Sequence, residues 1–116
     1  MPAHFLHSVG NFGFFDPISR ILFSGDVGSS MIPSKAPYHF VTEFGGHVGT
    51  MTGFHRRYMA SNRVARLWVR MVRSLAPEMI VPQHGLPAHG QAMADFLDWF
   101  ERLECGVDLL TAADYA

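Results

Sequence analysis

Short apolar runs alternate with turn-forming residues in the first part of this chain and again near residue 80. Runs of this length, flanked by turn residues, predict strands. The runs are 3–7 (AHFLH), 11–15 (NFGFF), 20–24 (RILFS) and 78–82 (EMIVP). Asp16 and Pro17 separate the second run from the third. Because Asp and Pro favour the first two positions of a type I turn, this pair predicts a β-hairpin.

The segment between the hairpin and the last strand predicts a long loop followed by two helices. Residues 27–50 are rich in Gly, Ser and Pro and predict an irregular loop of a length that is usually functional. A first helix is predicted over 51–60. Ser61 or Asn62 can cap the second helix, and Pro77 ends it. Its apolar stripe consists of Val64, Leu67, Trp68, Met71, Val72 and Leu75.

A last helix over 90–103 completes the predicted elements. Its core-facing residues are Met93, Phe96, Leu97, Phe100 and Leu103. Strands, a hairpin and helices in this order predict an α/β fold, in which helices pack on a mixed sheet. This small number of elements is typical of half of a layered sandwich.

Composition narrows the class of protein. Hydrophobic residues make up 48% of the chain and charged residues 16%, with a net charge of −1, so a globular domain is predicted and neither nucleic acid nor a membrane is an expected partner. The sequence shows no signal-peptide pattern and no apolar run long enough to cross a bilayer. Cys105 stands alone, which fits a reducing compartment. We therefore predict a cytoplasmic protein.

Three side chains that can bind metal follow predicted strands. His7 closes the first run, Asp26 follows the hairpin, and His84 follows EMIVP. Two imidazoles and a carboxylate suit zinc, iron or manganese, and an aspartate can bridge two ions. A lone histidine at a strand end is more often structural than a ligand, and Asp26 could equally cap a turn, so the residues alone leave the alternatives open.

Three motifs in order resemble the metallo-β-lactamase-fold superfamily. "HSVGNF" resembles its third metal motif, "ILFSGD" the strand that delivers a bridging aspartate, and "IVPQHG" the final strand and loop histidine. The longer stretches "GNFGFFDPISRILFSGDVGSS" and "GFHRRYMASNRVARLWVRMVRSLAPEMIVPQHG" are most similar to oxygen-binding di-iron proteins and to the metal domain of flavodiiron proteins.

This resemblance implies two iron ions that bind or reduce dioxygen. It makes His7 and His84 terminal ligands of different irons, with Asp26 as the bridge. It also implies the C-terminal half of an αββα sandwich, so residues 1–116 are predicted to be a partial domain. The opening metal motif of the superfamily has no counterpart here, and no segment expected to bind flavin is present.

The missing motif leaves several hypotheses open. An N-terminal half or a second chain would complete the fold, and a homo-oligomer is expected. The alternatives are a binuclear zinc hydrolase of the same fold and a metal-free interaction subunit.

Other side chains carry weaker signals. His47 would line an oxygen pocket if the resemblance holds, although an exposed loop position is favoured for it, as for His39 and His55. The arginines between Arg56 and Arg73 are interpreted as a solvated helix face.

Overall fold

A mixed four-stranded sheet with helices packed on one face organises the computed structural model, which describes residues 1–33, 35 and 39–116. The strands are β1 (Phe14–Asp16), β2 (Ile21–Gly25), β3 (Met79–Pro82) and β4 (Ala88–His89). The α-helices are α1 (Phe44–His47), α2 (Thr52–Tyr58), α3 (Asn62–Leu75) and α4 (Gly90–Arg102). Short 3-10 helices cover Val48–Thr50, Gly106–Leu109 and Ala112–Tyr115. The predicted α/β fold with a mixed sheet is confirmed.

The predicted hairpin forms from β1 and β2, which pair antiparallel. The Asp16 carboxylate accepts hydrogen bonds from the backbone N–H groups of Ile18, at 3.0 Å, and Ser19, at 3.2 Å. These bonds and one from the Ser19 hydroxyl hold the turn, and the hydroxyl bond is the main cause that lowers the pKa of Asp16. The turn predicted from Asp16 and Pro17 is therefore the turn that closes the hairpin.

The sheet order is β1-β2-β3-β4, and β2 pairs parallel with β3. Alternation along the strands gives the sheet an inner and an outer row of side chains. The inner row is buried under helices or partly so, and consists of Phe15, Leu22, Ile80 and Ala88. The outer row consists of Phe14, Phe23 and Val81.

The predicted strand over residues 3–7 is wrong. The segment folds into turns, in which the Leu6 N–H donates to the Ala3 carbonyl and Phe5 has φ +64°. Its β-type pairing with the rest of the described chain is limited to isolated bridges, Pro2 to Phe12 and Leu6 to Met59. Ala3 and Leu6 are buried while the two residues between them are exposed, so the apolar spacing is that of a turn rather than of a strand.

The predicted long loop over 27–50 is interrupted by α1 and the 3-10 helix after it. Residues 34 and 36–38 of that prediction lie outside the described residues. Gly45 and Gly46 disfavour a helix, so local propensity did not indicate one. Phe44 is buried against Phe96 and Trp99 of α4, and this tertiary packing stabilises the turn of helix.

The helices over 51–60, 61–76 and 90–103 are confirmed as α2, α3 and α4. The core stripe of α3 is rotated from the prediction and consists of Ala65, Trp68, Val69 and Val72. Leu67, placed in the core from the sequence, is 55% exposed, because the buried face of α3 is the adjacent one. The helix ends at Leu75, and its capping residue Ala76 adopts a left-handed conformation just before Pro77.

An aromatic cluster joins α4 to α2 and α3. Phe100 is fully buried, with its ring centroid 5.8 Å from Phe96 and 5.8 Å from Trp68. Aromatic side chains of this kind contribute a large share of core burial. No helix within the described residues has both the length and the apolar content to cross a bilayer.

Phe100→Ala should lower the free energy of unfolding by about 3–5 kcal/mol, because the cluster cannot collapse onto the space left by the ring. Urea unfolding followed by circular dichroism measures the change. Leu67→Ala is the matched control on the exposed side of α3 and should change the value by less than about 1 kcal/mol. Equal losses for the two variants would contradict the placement of the core.

Candidate metal centre

Two of the predicted ligands follow strands that lie side by side. Gly25 of β2 is paired with Pro82 of β3, and both strands run in the same direction, so Asp26 and His84 follow them at the same edge of the sheet. The Gln83 N–H donates to the Gly25 carbonyl at 2.8 Å. Asp26 is half-buried and His84 is exposed.

The loops that carry Asp26 and His84 are also hydrogen-bonded to each other. The Ser30 N–H donates to the His84 carbonyl at 3.1 Å. Gly85 has φ +100°, and a Cβ there would collide with the Ser30 side chain and lie 2.8 Å from its backbone nitrogen. A glycine is therefore required next to His84 for the two loops to approach this closely.

His7 reaches its position by a different route. It lies in the N-terminal turn segment rather than at a strand end, and its imidazole stacks on the Tyr58 ring at 5.0 Å between centroids. The Ala60 N–H donates to the Phe5 carbonyl at 3.0 Å, which ties this segment to the end of α2. The element predicted to deliver His7 was wrong, and its proximity to the other two ligands stays a prediction.

The part of the chain that the structure describes contains no group of three or more His, Cys, Asp or Glu side chains arranged to hold a metal ion. The donors at the shared edge are nevertheless of the right kind, because a carboxylate and an imidazole are ordinary iron and zinc ligands. Asp26 and His84 therefore fit a metal by their chemistry and lie at the same edge of the sheet, and two or three donors would leave two ions undersaturated.

His55 is fully buried, which corrects the prediction of an exposed position. The Gly28 N–H donates to its Nε2 at 3.0 Å, and its Nδ1 donates to the Met51 carbonyl at 2.8 Å. Burial lowers its pKa to about 4, so the ring is neutral at physiological pH. Met51, His55 and Met59 are spaced four residues apart and all are buried, and this spacing was the signal available in the sequence.

His47 is also buried rather than exposed, which corrects the second prediction of this kind. Its Nε2 has no hydrogen-bond partner among the described residues, and burial lowers its pKa. The side chain lines a small apolar cavity together with Gly28, Phe44 and Leu86. The buried hydroxyls of Ser29 and Ser30, which follow Asp26 in the chain, likewise lack hydrogen-bond partners in the described structure.

Comparison with known proteins identifies a family and several solved structures that share this architecture. Residues 1–85 match the family described as "ODP family beta lactamase". The chain belongs to the ODP family. Solved structures of the chemotaxis sensor ODP, one described as a peroxy diiron species and one as the apo state from T. denticola, are 46% identical to it, with TM-scores of 0.88 and 0.90. A search among curated proteins finds no match.

More distant structures share the fold. The flavodiiron protein from Giardia intestinalis is 20% identical with a TM-score of 0.70 over 88% of this chain. Rubredoxin oxygen:oxidoreductase from Desulfovibrio gigas is 19% identical with a TM-score of 0.66 over 86%. Together with the ODP structures they confirm the resemblance to metallo-β-lactamase-fold di-iron proteins. The matches to the two sensor structures cover 94% of the present chain. They cover 45% of each sensor chain, so the present chain spans less than half the length of these relatives.

Acid should destabilise this chain through His55. Its pKa is about 4 in the folded protein and about 6.5 when unfolded, so the unfolded state takes up the proton first as the pH falls. The contribution to stability is complete above about pH 6.5 and should fall by up to roughly 3 kcal/mol towards pH 4. Urea unfolding between pH 7.5 and 4.5 measures this slope.

In His55→Gln the slope should become shallower, although burial of His47 leaves a residual dependence of the same sign. An unchanged slope in that variant would show that His55 is not the group responsible.

Proposed function

We propose that this chain supplies part of a di-iron domain that binds dioxygen, with His7, Asp26 and His84 as its share of the ligands. The main support is the close match over 94% of the chain to a sensor solved as a peroxy diiron species. The position of Asp26 and His84 at the same edge of the sheet also supports the proposal. When bound, two iron ions would supply the centre at which dioxygen binds.

The chain's own residues would hold and orient that centre. Asp26 would hold the metal through its carboxylate, and His84 through an imidazole on a loop fixed by the Ser30–His84 hydrogen bond. The Tyr58 ring would hold the His7 imidazole in one orientation by stacking. Iron is favoured over zinc because the ODP relative is described as a diiron species, and no comparison supports a zinc hydrolase.

The outer face of the sheet supports a partial domain. Phe14 is 66% exposed and Phe23 is 46% exposed, although they are cross-strand partners. Phe12 adds a third exposed ring, 5.4 Å from that of Phe14, and the groove beside these rings reaches Gly25 and Gln83. Contiguous exposed apolar surface of this kind marks an interaction site. We infer that the remainder of the domain, in the same polypeptide or another, packs on this face.

The proposed location is the cytoplasm. Cys105, the only cysteine of the chain, is a buried free thiol whose pKa is raised to about 11 by burial and by the Asp108 carboxylate. A chain with one buried free thiol and no possible internal disulfide fits a reducing compartment.

Iron binding tests the assignment of the ligands. The chain is co-expressed with the segment of the T. denticola sensor that it does not cover, and the purified complex is analysed for metal and for an optical band that changes with dioxygen. We expect about two irons per complex. His7→Ala, Asp26→Ala and His84→Ala should each lower the iron content by more than half, because each removes a ligand.

His4→Ala is the matched control, since His4 is exposed and lies three residues from His7. An iron content as low in this control as in His7→Ala, or a complex that holds zinc and no iron, would contradict the proposal.

The same complex tests the outer face. Phe14→Ser and Phe23→Ser should each weaken association by about tenfold or more, because each removes a buried aromatic contact. Ile18→Ser, in the hairpin turn and 93% exposed, is the control and should leave association unchanged. Light scattering after size-exclusion chromatography measures the mass. Equal association of all three variants, or a homodimer that forms in preference to the complex, would contradict the assigned surface.

A further inference from the structure

The loop that carries Asp26 is attached to α2 through one buried side chain. Gly28, two residues after Asp26, donates its backbone N–H to His55 Nε2 at 3.0 Å. His55 in turn donates from Nδ1 to the Met51 carbonyl at 2.8 Å, at the start of α2. The imidazole thus connects two backbone segments, and each ring nitrogen has one partner of the matching kind.

This pair of bonds fixes the chemical form of His55. A nitrogen that accepts from an N–H group cannot itself carry a proton, so Nε2 is unprotonated and Nδ1 bears the hydrogen. A protonated ring would set two donors against each other at Gly28. The connection therefore requires the neutral imidazole, and the buried site maintains that form.

Gly28 is also the point at which the Asp26 loop meets the end of β3. Its φ is +94°, and a Cβ there would lie 3.5 Å from Cβ of Pro82. Pro82 is the last residue of β3, two before His84. Gly28 is two residues from Asp26 and lies against the strand that leads to His84. Holding Gly28 in place therefore also limits where Asp26 can lie relative to His84.

We propose that His55 is a positioning residue that holds the Asp26 loop against the end of β3 by accepting the Gly28 hydrogen bond. The assignment of Asp26 as a ligand, on which the use of this restraint depends, rests on the proposed function. Packing alone is the competing explanation, because the His55 ring also lies 5.4 Å from Trp99 and 5.6 Å from Phe100.

Three substitutions separate the hydrogen bond from the packing. His55→Gln can place a carbonyl oxygen near the position of Nε2 and keep the acceptor for Gly28. His55→Asn can place its amide near Nδ1 and keep the donor to Met51 but not the acceptor. His55→Phe keeps a ring of similar size and neither bond.

Amide hydrogen exchange of the chain, measured by NMR, provides the first readout. In His55→Asn and His55→Phe, exchange at residues 27–30 should be roughly tenfold faster relative to the amides of α4 in the same variant. In His55→Gln it should remain within about threefold of the unsubstituted chain. Uniform acceleration over the whole chain, or His55→Gln behaving like His55→Phe, would overturn the proposal.

The unsubstituted chain supplies a test that does not depend on whether a variant folds. The ¹⁵N shifts of His55 should report an unprotonated Nε2 and a protonated Nδ1, with a coupling between Nε2 and the Gly28 amide across the hydrogen bond. Two protonated nitrogens, or a hydrogen on Nε2, would overturn the proposal.

Iron affinity in the co-expressed complex distinguishes this inference from the proposed function. His55→Asn and His55→Phe should weaken iron binding by about 10- to 100-fold, and His55→Gln by much less. If the exchange pattern appears but the complex of the unsubstituted chain holds no iron, the positioning of the loop stands and the di-iron proposal fails. If iron affinity is equal in all three variants, His55 does not position a ligand.

Discussion

The parallel pairing of β2 with β3 is the constraint on which the candidate site depends. It joins a strand near residue 25 to one near residue 82, and the pairing of Gly25 with Pro82 sets where each chain leaves the sheet. Antiparallel neighbours would have sent Asp26 and His84 to opposite edges. A parallel neighbour requires a crossover, and α2 and α3 lie in the segment that provides it here.

The two faces of the sheet differ in how far the described residues cover them. The inner row packs under the helices with Leu22 and Ile80 almost fully buried. The outer row is as apolar as the inner one, with Phe14, Phe23 and Val81 side by side. A sheet with one solvated face commonly alternates apolar and polar residues along its strands, whereas strands buried on both faces are apolar on both. The composition of the outer row is therefore that of a surface meant to be covered, which agrees with the proposal of a partial domain.

The two buried histidines, His47 and His55, differ in how their ring nitrogens are hydrogen-bonded. Burial lowers the pKa of both. In His55 both ring nitrogens have partners, so the ring is a neutral bridge between backbone segments. In His47 the Nε2 atom has none within the described residues, and an unpaired buried polar atom costs free energy. A functional role is one explanation for a buried polar atom without a partner. His47 lines a cavity that also includes Gly28 of the Asp26 loop.

The sequence by itself determined the features that depend on neighbouring residues. Asp16-Pro17 specified the hairpin turn, Pro77 specified the end of α3, and the apolar repeat specified α4, because each signal acts over one turn of chain. The three motifs were also enough to indicate the resemblance to di-iron proteins, and the comparisons confirm that resemblance.

Only the tertiary structure decided the features that depend on distant contacts. Helix α1 forms because Phe44 packs on α4, and residues 3–7 fold into turns because Leu6 pairs with Met59 rather than with the sheet. His55 is buried because its partners, Gly28 and the aromatic residues of α4, come from other parts of the chain. Burial and contacts between distant segments arise only when the chain packs, so local propensity does not indicate them.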